Sequence, residues 1–313
     1  MKICRIVILS FAILFLITSL IGRSVCLNEC ESGVSEGWQG ESETEFRRIS
    51  VYFAPHSPRT VTELRTAKGG MEKRIAEQDE EIDFLVAWGG EGESEFATDN
   101  RQEWMKTFLV NQDFFAVRAF PMTAGAVYPL GEDWVVLNEY AAWKLFGSVD
   151  CVGLDVAWDG VAMVVAAVVN DGQENAVVYA PANDQTPITF FETVLPEFVN
   201  GYAKECVAMY FMEDDTTIIR ENDTRFDAKN LRALLRASLD DEEQTILFRV
   251  PWWEFAEWHL ERELIAWHLA VRVSLLLTIV LVCPYLVFGI SWIAGWVKKW
   301  VEDHRMKKKR YDI

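Results

Sequence analysis

The chain has 313 residues, 50% of them hydrophobic, and a formal net charge of −18. This length and apolar content suffice to bury a sizeable core, which excludes a disordered tail. The excess of acid argues against a nucleic-acid partner, because phosphate binding needs clustered Lys and Arg.

The first predicted element is an apolar segment at residues 6–22, which follows a basic N-terminus at residues 1–5. A run of about 17 apolar residues fits either a short membrane helix or the apolar part of a secretory signal peptide. Gly22, Ser24 and Cys26 match the small residues of a cleavage site poorly. The sequence therefore favours an uncleaved transmembrane helix, with cleavage as the alternative.

A polar, Gly-rich and acidic spacer follows, and after it the residues alternate between strand-like and helix-like patterns. Residues 48–54 predict a strand, the next stretch a helix interrupted at Gly69 and Gly70, and residues 82–88 a second strand. This β-α-β order returns near the end of the domain. There, a strand is predicted at residues 203–212, and the unit is completed by a helix at 227–238 and a strand at 245–250.

Two β-α-β units around a long middle predict an α+β extracytoplasmic domain, ferredoxin-like, with an inserted mixed lobe at about residues 98–195. In that insert a strand precedes Asn138, a predicted helix N-cap, and Gly147 ends a helix of barely two turns. Asp159 and Gly160 predict a two-residue hairpin. The strand after it is apolar throughout, which predicts cover on both faces. For residues 189–198 the pattern fits a short helix or a strand equally.

A Trp-rich amphipathic helix is predicted at residues 251–272, where Pro251 suits a helix start. Glu254, Glu257 and Glu261 recur at i, i+3 and i+7, on one face of an otherwise apolar helix. Such a helix either lies in the membrane interface or runs directly into a membrane span.

The longest stretch without a charge is residues 273–297, which is ample to cross about 30 Å of hydrocarbon. The basic tail after it marks a cytoplasmic end by the positive-inside rule, and the basic N-terminus places the first end on the same side. The tail serves as a topology signal or binds anionic lipid. The predicted order is a cytoplasmic N-terminus 1–5, transmembrane helix 6–22, spacer 23–46, external domain 47–250, juxtamembrane helix 251–272, transmembrane helix 273–297 and cytoplasmic tail 298–313.

No catalytic, cofactor-binding or metal site is predicted. The sequence contains no nucleophile elbow, phosphate loop, dinucleotide fingerprint or calcium loop, and its histidines have no ligand at zinc spacing. Asn222 begins a three-residue glycosylation pattern, for which a polar turn is the plainer explanation. Four cysteines outside the membrane segments could form disulfides, Cys26, Cys30, Cys151 and Cys206, and the sequence does not decide their pairing. Cys26 and Cys30 are close enough in sequence to bridge each other, and free buried thiols are an equal alternative.

The middle of the domain contains a spaced series of aromatic, apolar and glycine residues. They are Phe114, Phe115, Gly125, 135–137, Asn138, Glu139, Ala142, Leu145, Phe146, Gly147, Val152, Gly153 and 164–169. In order and spacing this series resembles the MacB-like periplasmic core domain of MacB-type and FtsX-like ABC transporter permeases. In that family the pattern is FF, a Gly, a strand, N/SE-x-x-A-x-x-LFG, a turn, VG, and a strand pair ending in VV. Cys151 stands where the family usually has Pro, and Ala126 where Arg is frequent.

The resemblance implies a divided external domain that is moved by cytoplasmic ATP hydrolysis through the helices that carry it. It gives the motif residues structural roles, with Phe115 and Phe146 in the core and Gly147 and Gly153 as turn residues. The sequence has two predicted membrane helices, where family permeases have four, and no ATP-binding loop. We therefore expect a non-enzymatic permease-type subunit or accessory of the bacterial envelope, partnered by a separate ABC ATPase, a further permease subunit and membrane lipid.

A stand-alone extracytoplasmic binding or sensing module is the alternative function, in which the juxtamembrane helix and the tail pass a signal without ATP. An envelope enzyme is a third class. The ligand, the direction of transport and the oligomeric state are left open by the sequence.

Overall fold

The computed structural model describes residues 2–29, 44–79, 82–128, 130–131, 133–227, 229–230 and 250–311. The chain divides into two compact units. The sheet unit is Glu31–Glu257, and the helical unit combines Met1–Cys30 with Trp258–Ile313. Of the predicted helix at 227–238 only residues 227, 229 and 230 are described, and of the predicted strand at 245–250 only residue 250 is described.

The sheet unit is a mixed α+β structure built on one ten-stranded sheet. After helix α1, Lys2–Glu29, which belongs to the helical unit, the elements of the sheet unit in chain order are β1 Phe46–Phe53, α2 Val61–Ala76, β2 Leu85–Ala97, β3 Gln102–Val110, α3 Phe114–Val117, β4 Met122–Gly125, β5 Trp134–Asn138, α4 Glu139–Phe146, β6 Asp155–Trp158, β7 Val161–Val169, β8 Val177–Pro181, β9 Phe190–Pro196, α5 Tyr202–Ala208 and β10 Thr217–Glu221. The strand order is β10-β1-β9-β2-β3-β8-β5-β7-β4, and β6 pairs with β2 and β7. Two pairs, β3 with β8 and β5 with β7, are parallel, and the others are antiparallel.

Three apolar clusters form the core of this unit. One cluster joins β1, β2 and β9 to α2 and α5. Another packs α4 against β3, β5, β7 and β8, with Leu145 and Met105 among its members. The third is aromatic and surrounds Phe114 and Tyr179, with Trp253 from the last helix of the chain.

The predictions for β1 and for the β5-α4 unit are confirmed. Asn138 has extended backbone and accepts a hydrogen bond from the amide of Ala141, as an N-cap does. Gly147 adopts φ +71° at the C-terminus of α4, where an L side chain is strained. Asp159 and Gly160 both have positive φ, +46° and +83°, as the predicted two-residue hairpin requires.

The predicted interruption of α2 is wrong, since the helix runs unbroken through Gly69 and Gly70. A capping box at Thr60 and Glu63 sets its start. Gly70 permits a close approach, because a Cβ there would lie 2.3 Å from the hydroxyl oxygen of Tyr210. A glycine costs a helix about 1 kcal/mol relative to alanine, and the approach of Tyr210 gives a packing reason for Gly70 but not for Gly69, beside which there is open space.

The strand predicted at residues 203–212 is also wrong, because most of this segment forms helix α5. Ala203, Cys206 and Val207 are buried at helical spacing. The carboxylate of Glu197 accepts hydrogen bonds from the amides of Gly201 and Ala203 and so caps the helix start. The strand was predicted because the segment is apolar. The helix is explained by the cap from Glu197 and by buried residues that recur at intervals of three and four.

Two further outcomes concern strands. Residues 190–196 form the fully buried strand β9, which resolves the choice between helix and strand. Strand β7 is covered on both faces only in its last part, since Val161 and Val164 are exposed. The prediction of complete cover is therefore wrong for the first part of β7.

The helical unit contains α1, Lys2–Glu29, and most of α6, Trp252–Tyr311. Both helices contain a window long and apolar enough to cross a membrane, Ile8–Leu27 and Trp252–Cys283. A Cβ at Gly22 would lie 2.6 Å from the ring of Trp267, and the thiol of Cys26 donates to the carbonyl of Leu260 at 3.6 Å. Moving from Gly22 to Cys26 along α1 thus corresponds to moving back from Trp267 to Leu260 along α6. The two helices therefore run antiparallel.

Candidate functional site

Six charged side chains are buried together in the sheet unit, where the first turns of α6 meet the sheet. We call them the charge cluster. They come from five parts of the chain and comprise Arg48 on β1, Arg118 after α3, Glu192 on β9, Arg225 after β10, and Glu254 and Glu257 on α6.

Arg118 and Glu192 form the most enclosed pair of the cluster. Nη2 of Arg118 donates to Oε1 of Glu192 at 2.6 Å, and Nε donates to Oε2 at 2.7 Å. This two-pronged geometry is the strongest that a guanidinium and a carboxylate can adopt. The side chains are 4% and 0% exposed, so water screens the pair very little.

The acids of α6 are held in the same way. Nη2 and Nη1 of Arg225 donate to the two oxygens of Glu254 at 2.8 and 2.9 Å, and the hydroxyl of Tyr52 donates to Glu254 at 2.9 Å. Glu257 accepts from Arg225 at 3.0 Å, from Arg48 at 3.2 Å and from Arg118 at 3.4 Å. Glu257 thereby touches all three arginines.

Trp253 anchors the same turn of α6 by apolar and polar contacts together. Its indole Nε1 donates to Glu192 at 2.9 Å, and the guanidinium carbon of Arg118 lies 5.1 Å from the centre of its ring. The ring packs at 5.3 Å from both Phe108 and Phe190. The start of α6 is therefore part of the sheet unit's core.

The electrostatics of the cluster are balanced. Burial, together with the charges of Glu254 and Glu192, raises the pKa of the Tyr52 hydroxyl well above its ordinary range. Burial acts against the charged form of Arg118, but the carboxylate of Glu192 outweighs it and holds the pKa of this arginine above its usual value. Three arginines face three glutamates, so the formal charges of the six side chains sum to zero.

This arrangement fixes a helix in place, because each carboxylate has donors from more than one part of the chain. Removing one partner of a buried ion pair leaves an uncompensated charge and costs about 3–5 kcal/mol. The sequence placed Glu254, Glu257 and Glu261 on one face of a helix, and all three are buried. It did not single out the arginines or Glu192, and the mismatch between three acids and an apolar helix was the one available signal.

Several residues that carry the family resemblance, in the stretch 114–169, have structural roles in the sheet unit. Oδ1 of Asn138 accepts from the amides of Ala141 and Val177, and Nδ2 donates to Asp171 and to the carbonyl of Asn175. All four hydrogen-bonding positions of this amide are thus used. Of the two predicted core phenylalanines, Phe115 is buried and Phe146 is half-buried.

Other residues named from the sequence have plain structural surroundings. Asn222 is buried and donates to the hydroxyl of Ser50 at 2.7 Å, which explains it without glycosylation. Cys151 and Cys206 are buried thiols without a disulfide, and burial raises the pKa of Cys151 to about 11. Cys30 lies outside the described residues, so the choice between a bridge to Cys26 and free thiols stays open. Among the described residues, no group of three or more His, Cys, Asp and Glu side chains is placed to hold a metal ion.

Solved structures are similar to parts of this chain at low sequence identity. The periplasmic region of MacB from Actinobacillus actinomycetemcomitans is similar at 13% identity and a TM-score of 0.45, over 62% of this chain and 92% of that one. The extracellular domain of the noncanonic ABC-type transporter YknZ from Gram-positive bacteria is similar at 13% identity and a TM-score of 0.41, over 55% and 99%. No family model and no curated protein matches the sequence. At this identity the likeness concerns the fold, and no function passes from it to this chain.

Proposed function

We propose that this protein is a membrane-anchored, MacB-like permease-type subunit or accessory, whose external domain binds a ligand or partner and is moved by a separate ATPase. The observation that carries the proposal is the charge cluster. It fixes the start of α6 within the core of the sheet unit, and the same helix continues into an apolar segment able to cross a membrane.

Mechanical coupling needs a connection that does not yield when one side moves. A flexible linker would absorb motion, whereas a helix is continuous in its hydrogen bonding. Trp253, Glu254 and Glu257 hold the first turns of α6 by ion pairs and aromatic packing. Displacement of α6 would therefore be passed to β1 and β9, the strands that carry Arg48 and Glu192.

The permease assignment is supported by the motif over residues 114–169 and by the two apolar helices. It does not rest on the structural similarities. The proposed topology has two membrane crossings, both termini in the cytoplasm and the sheet unit outside, as the distribution of basic residues indicates. Retention of α1 is supported by its contacts with α6 at Gly22 and Cys26. We propose no catalytic role, since the sequence contains no recognisable catalytic motif.

The test is co-purification of the tagged full-length chain, extracted from its host in mild detergent. We expect an ABC ATPase and a second permease chain to be found with it by mass spectrometry. If neither is present after chemical cross-linking in intact cells, the permease proposal fails and a stand-alone sensing module becomes the better hypothesis.

Coupling is tested on the same complex. A fluorophore at Asp150→Cys, on an exposed turn of the sheet unit, should report an ATP-dependent change. The variant Glu257→Gln should weaken that change while the ATPase still co-purifies. The matched control is Asp184→Asn, which removes an exposed pair with Arg65 and should leave the change intact.

A further inference from the structure

An open cleft of about 780 Å³ lies in the sheet unit and shares no residue with the charge cluster. Three segments form it. They are the turn between β2 and β3 at residues 98–101, the end of α4 at Leu145 and Phe146, and the β6-β7 hairpin. Two of these three segments therefore lie within the stretch 114–169 that carries the family pattern. The structural roles given above to the residues of that pattern do not account for the cleft.

One wall of the cleft is an open strand edge. Strand β6 pairs with β7 along its whole length, but with β2 only through Ala157 and Trp158. Strand β2 ends at Ala97, and the chain then turns back, with the amide of Thr98 bonded to the carbonyl of Arg101. Among the residues that the structure describes, the part of β6 before Ala157 therefore has no strand beside it on this side.

The hydrogen-bond register of the hairpin shows which groups face that opening. The amide of Val165 donates to the carbonyl of Leu154, so even-numbered residues of β6 bond to β7. The amide and carbonyl of Asp155 consequently point away from β7, towards the cleft. An extended chain placed there would continue the sheet where β2 leaves it.

The side chains around this edge are apolar at the floor and acidic at the rim. Val156 and Leu145 are buried, and Leu154 is 47% exposed. Asp99 and Asp155 are exposed, and among the described residues neither carboxylate forms an ion pair or a side-chain hydrogen bond. The cation of the cleft, Arg101, is engaged, because its Nη1 donates to the carbonyls of Trp143 and Lys144 at 3.0 and 2.7 Å.

We propose that this cleft binds an extended peptide segment by strand addition to β6. The backbone of the peptide pairs with Asp155, an apolar side chain rests on Leu154 and Phe146, and a basic side chain meets Asp99 and Asp155. The charges select the occupant. An anionic ligand would meet two unpaired carboxylates and an arginine already bonded to a helix end, whereas a basic peptide complements them.

The inference rests on the proposed function in one respect. The proposed function states that the external domain binds a ligand or partner, and the inference identifies that ligand as an extended basic peptide. Peptide binding can fail while an ATPase still co-purifies, and it can be present without one. The two proposals therefore fail separately.

The probe is a fluorescein-labelled hexapeptide of alternating lysine and valine, titrated into the full-length protein in detergent and followed by anisotropy. We expect saturable binding that weakens with salt. The double variant Asp99→Asn/Asp155→Asn should bind about tenfold more weakly, since an exposed ion pair is worth up to about a factor of five. The control is Glu174→Gln/Asp215→Asn, which removes two exposed carboxylates outside the cleft and should bind as the wild type does.

Two modified peptides test the mode of binding. The same peptide with alternate amides methylated cannot complete the strand hydrogen bonds and should bind at least tenfold more weakly. A glutamate-for-lysine peptide should not bind. Equal binding of the methylated peptide, or an unchanged affinity in the Asp99/Asp155 variant, overturns the proposal. So does a loss of oligomeric state in that variant by sedimentation, which would identify a second copy of the chain as the occupant.

Discussion

At the scale of single residues, Asn138 shows why one amide is needed at the start of α4. It caps the helix through Ala141 and also holds the start of β8 through the amide of Val177. Serine could provide the cap but could not also donate to both Asp171 and Asn175, because a hydroxyl has one proton. The residue therefore joins a helix to two neighbouring strands.

We expect Asn138→Ala to lower the free energy of unfolding by about 2–4 kcal/mol. The loss combines a helix cap with buried groups left without partners. Urea denaturation followed by circular dichroism measures it, with Trp143→Ala on the exposed face of α4 as the control. A loss below about 1 kcal/mol would show that the amide is not needed there.

Asp171 gives a prediction about pH. Burial raises the pKa of its carboxyl, although the amide of Gln173 and the side chains of Asn138 and Tyr179 donate hydrogen bonds that oppose the rise. A raised folded-state pKa means that the folded protein holds the proton more tightly. Its contribution to stability is thus complete below about pH 4, the unfolded value, and declines as the pH rises through the folded-state pKa.

The variant Asp171→Asn removes this dependence. As the pH rises from 4 to 7, the stability of the wild type should therefore fall relative to that of the variant, by about 1.4 kcal/mol for each unit of pKa elevation. Urea titrations at several pH values measure the difference, with Asp215→Asn as a control for the loss of a carboxyl. A difference that stays constant or grows in favour of the wild type contradicts the stated direction.

At the scale of elements, the start of α6 is the feature that organises the sheet unit. We expect Arg118→Ala to cost about 3–5 kcal/mol, because Glu192 and Glu257 would lose a buried cation. Arg65→Ala breaks an exposed pair with Asp184 and should cost less than about 1 kcal/mol. Thermal and urea unfolding of both variants measure the two losses in the free energy of unfolding. If both losses are below about 1 kcal/mol, the charge cluster does not hold the helix.

The contact between α1 and α6 makes a second prediction at this scale. Gly22→Leu should destabilise the helical unit, since a side chain there would enter the ring of Trp267. Trp267→Ala should restore stability when combined with it, by making room. Thermal aggregation in detergent gives the readout, and a double variant worse than both single ones would contradict this packing.

The sequence predicted the elements whose signals are local. Strand β5, the cap at Asn138, the end of α4 at Gly147 and the hairpin at Asp159 all depend on neighbouring residues. Helix α5 was missed because its apolar residues also suit a strand, and the deciding cap comes from Glu197. The charge cluster could not be predicted, since Arg48 and Glu257 lie 209 positions apart in the chain.

At the scale of the whole molecule, the proposed topology makes a direct prediction. Tags at both termini should resist protease added to intact cells, while a tag inserted in the exposed turn at Asp150 should be cut. Disruption of the cells should expose all three. Loss of the N-terminal tag from the mature protein would show instead that residues 6–22 are a cleaved signal peptide.

The balance of the charge cluster has a consequence for the surroundings in which the protein works. Dissolved ions weaken interactions between exposed charges over about 8–10 Å at physiological strength, but they hardly reach groups enclosed by protein. The strongly acidic exterior should therefore respond to salinity through its own repulsion. The charge cluster holds the start of α6, and its six side chains have cancelling formal charges and are enclosed by protein. Its contribution to stability should therefore be the same at low and at high salt concentration.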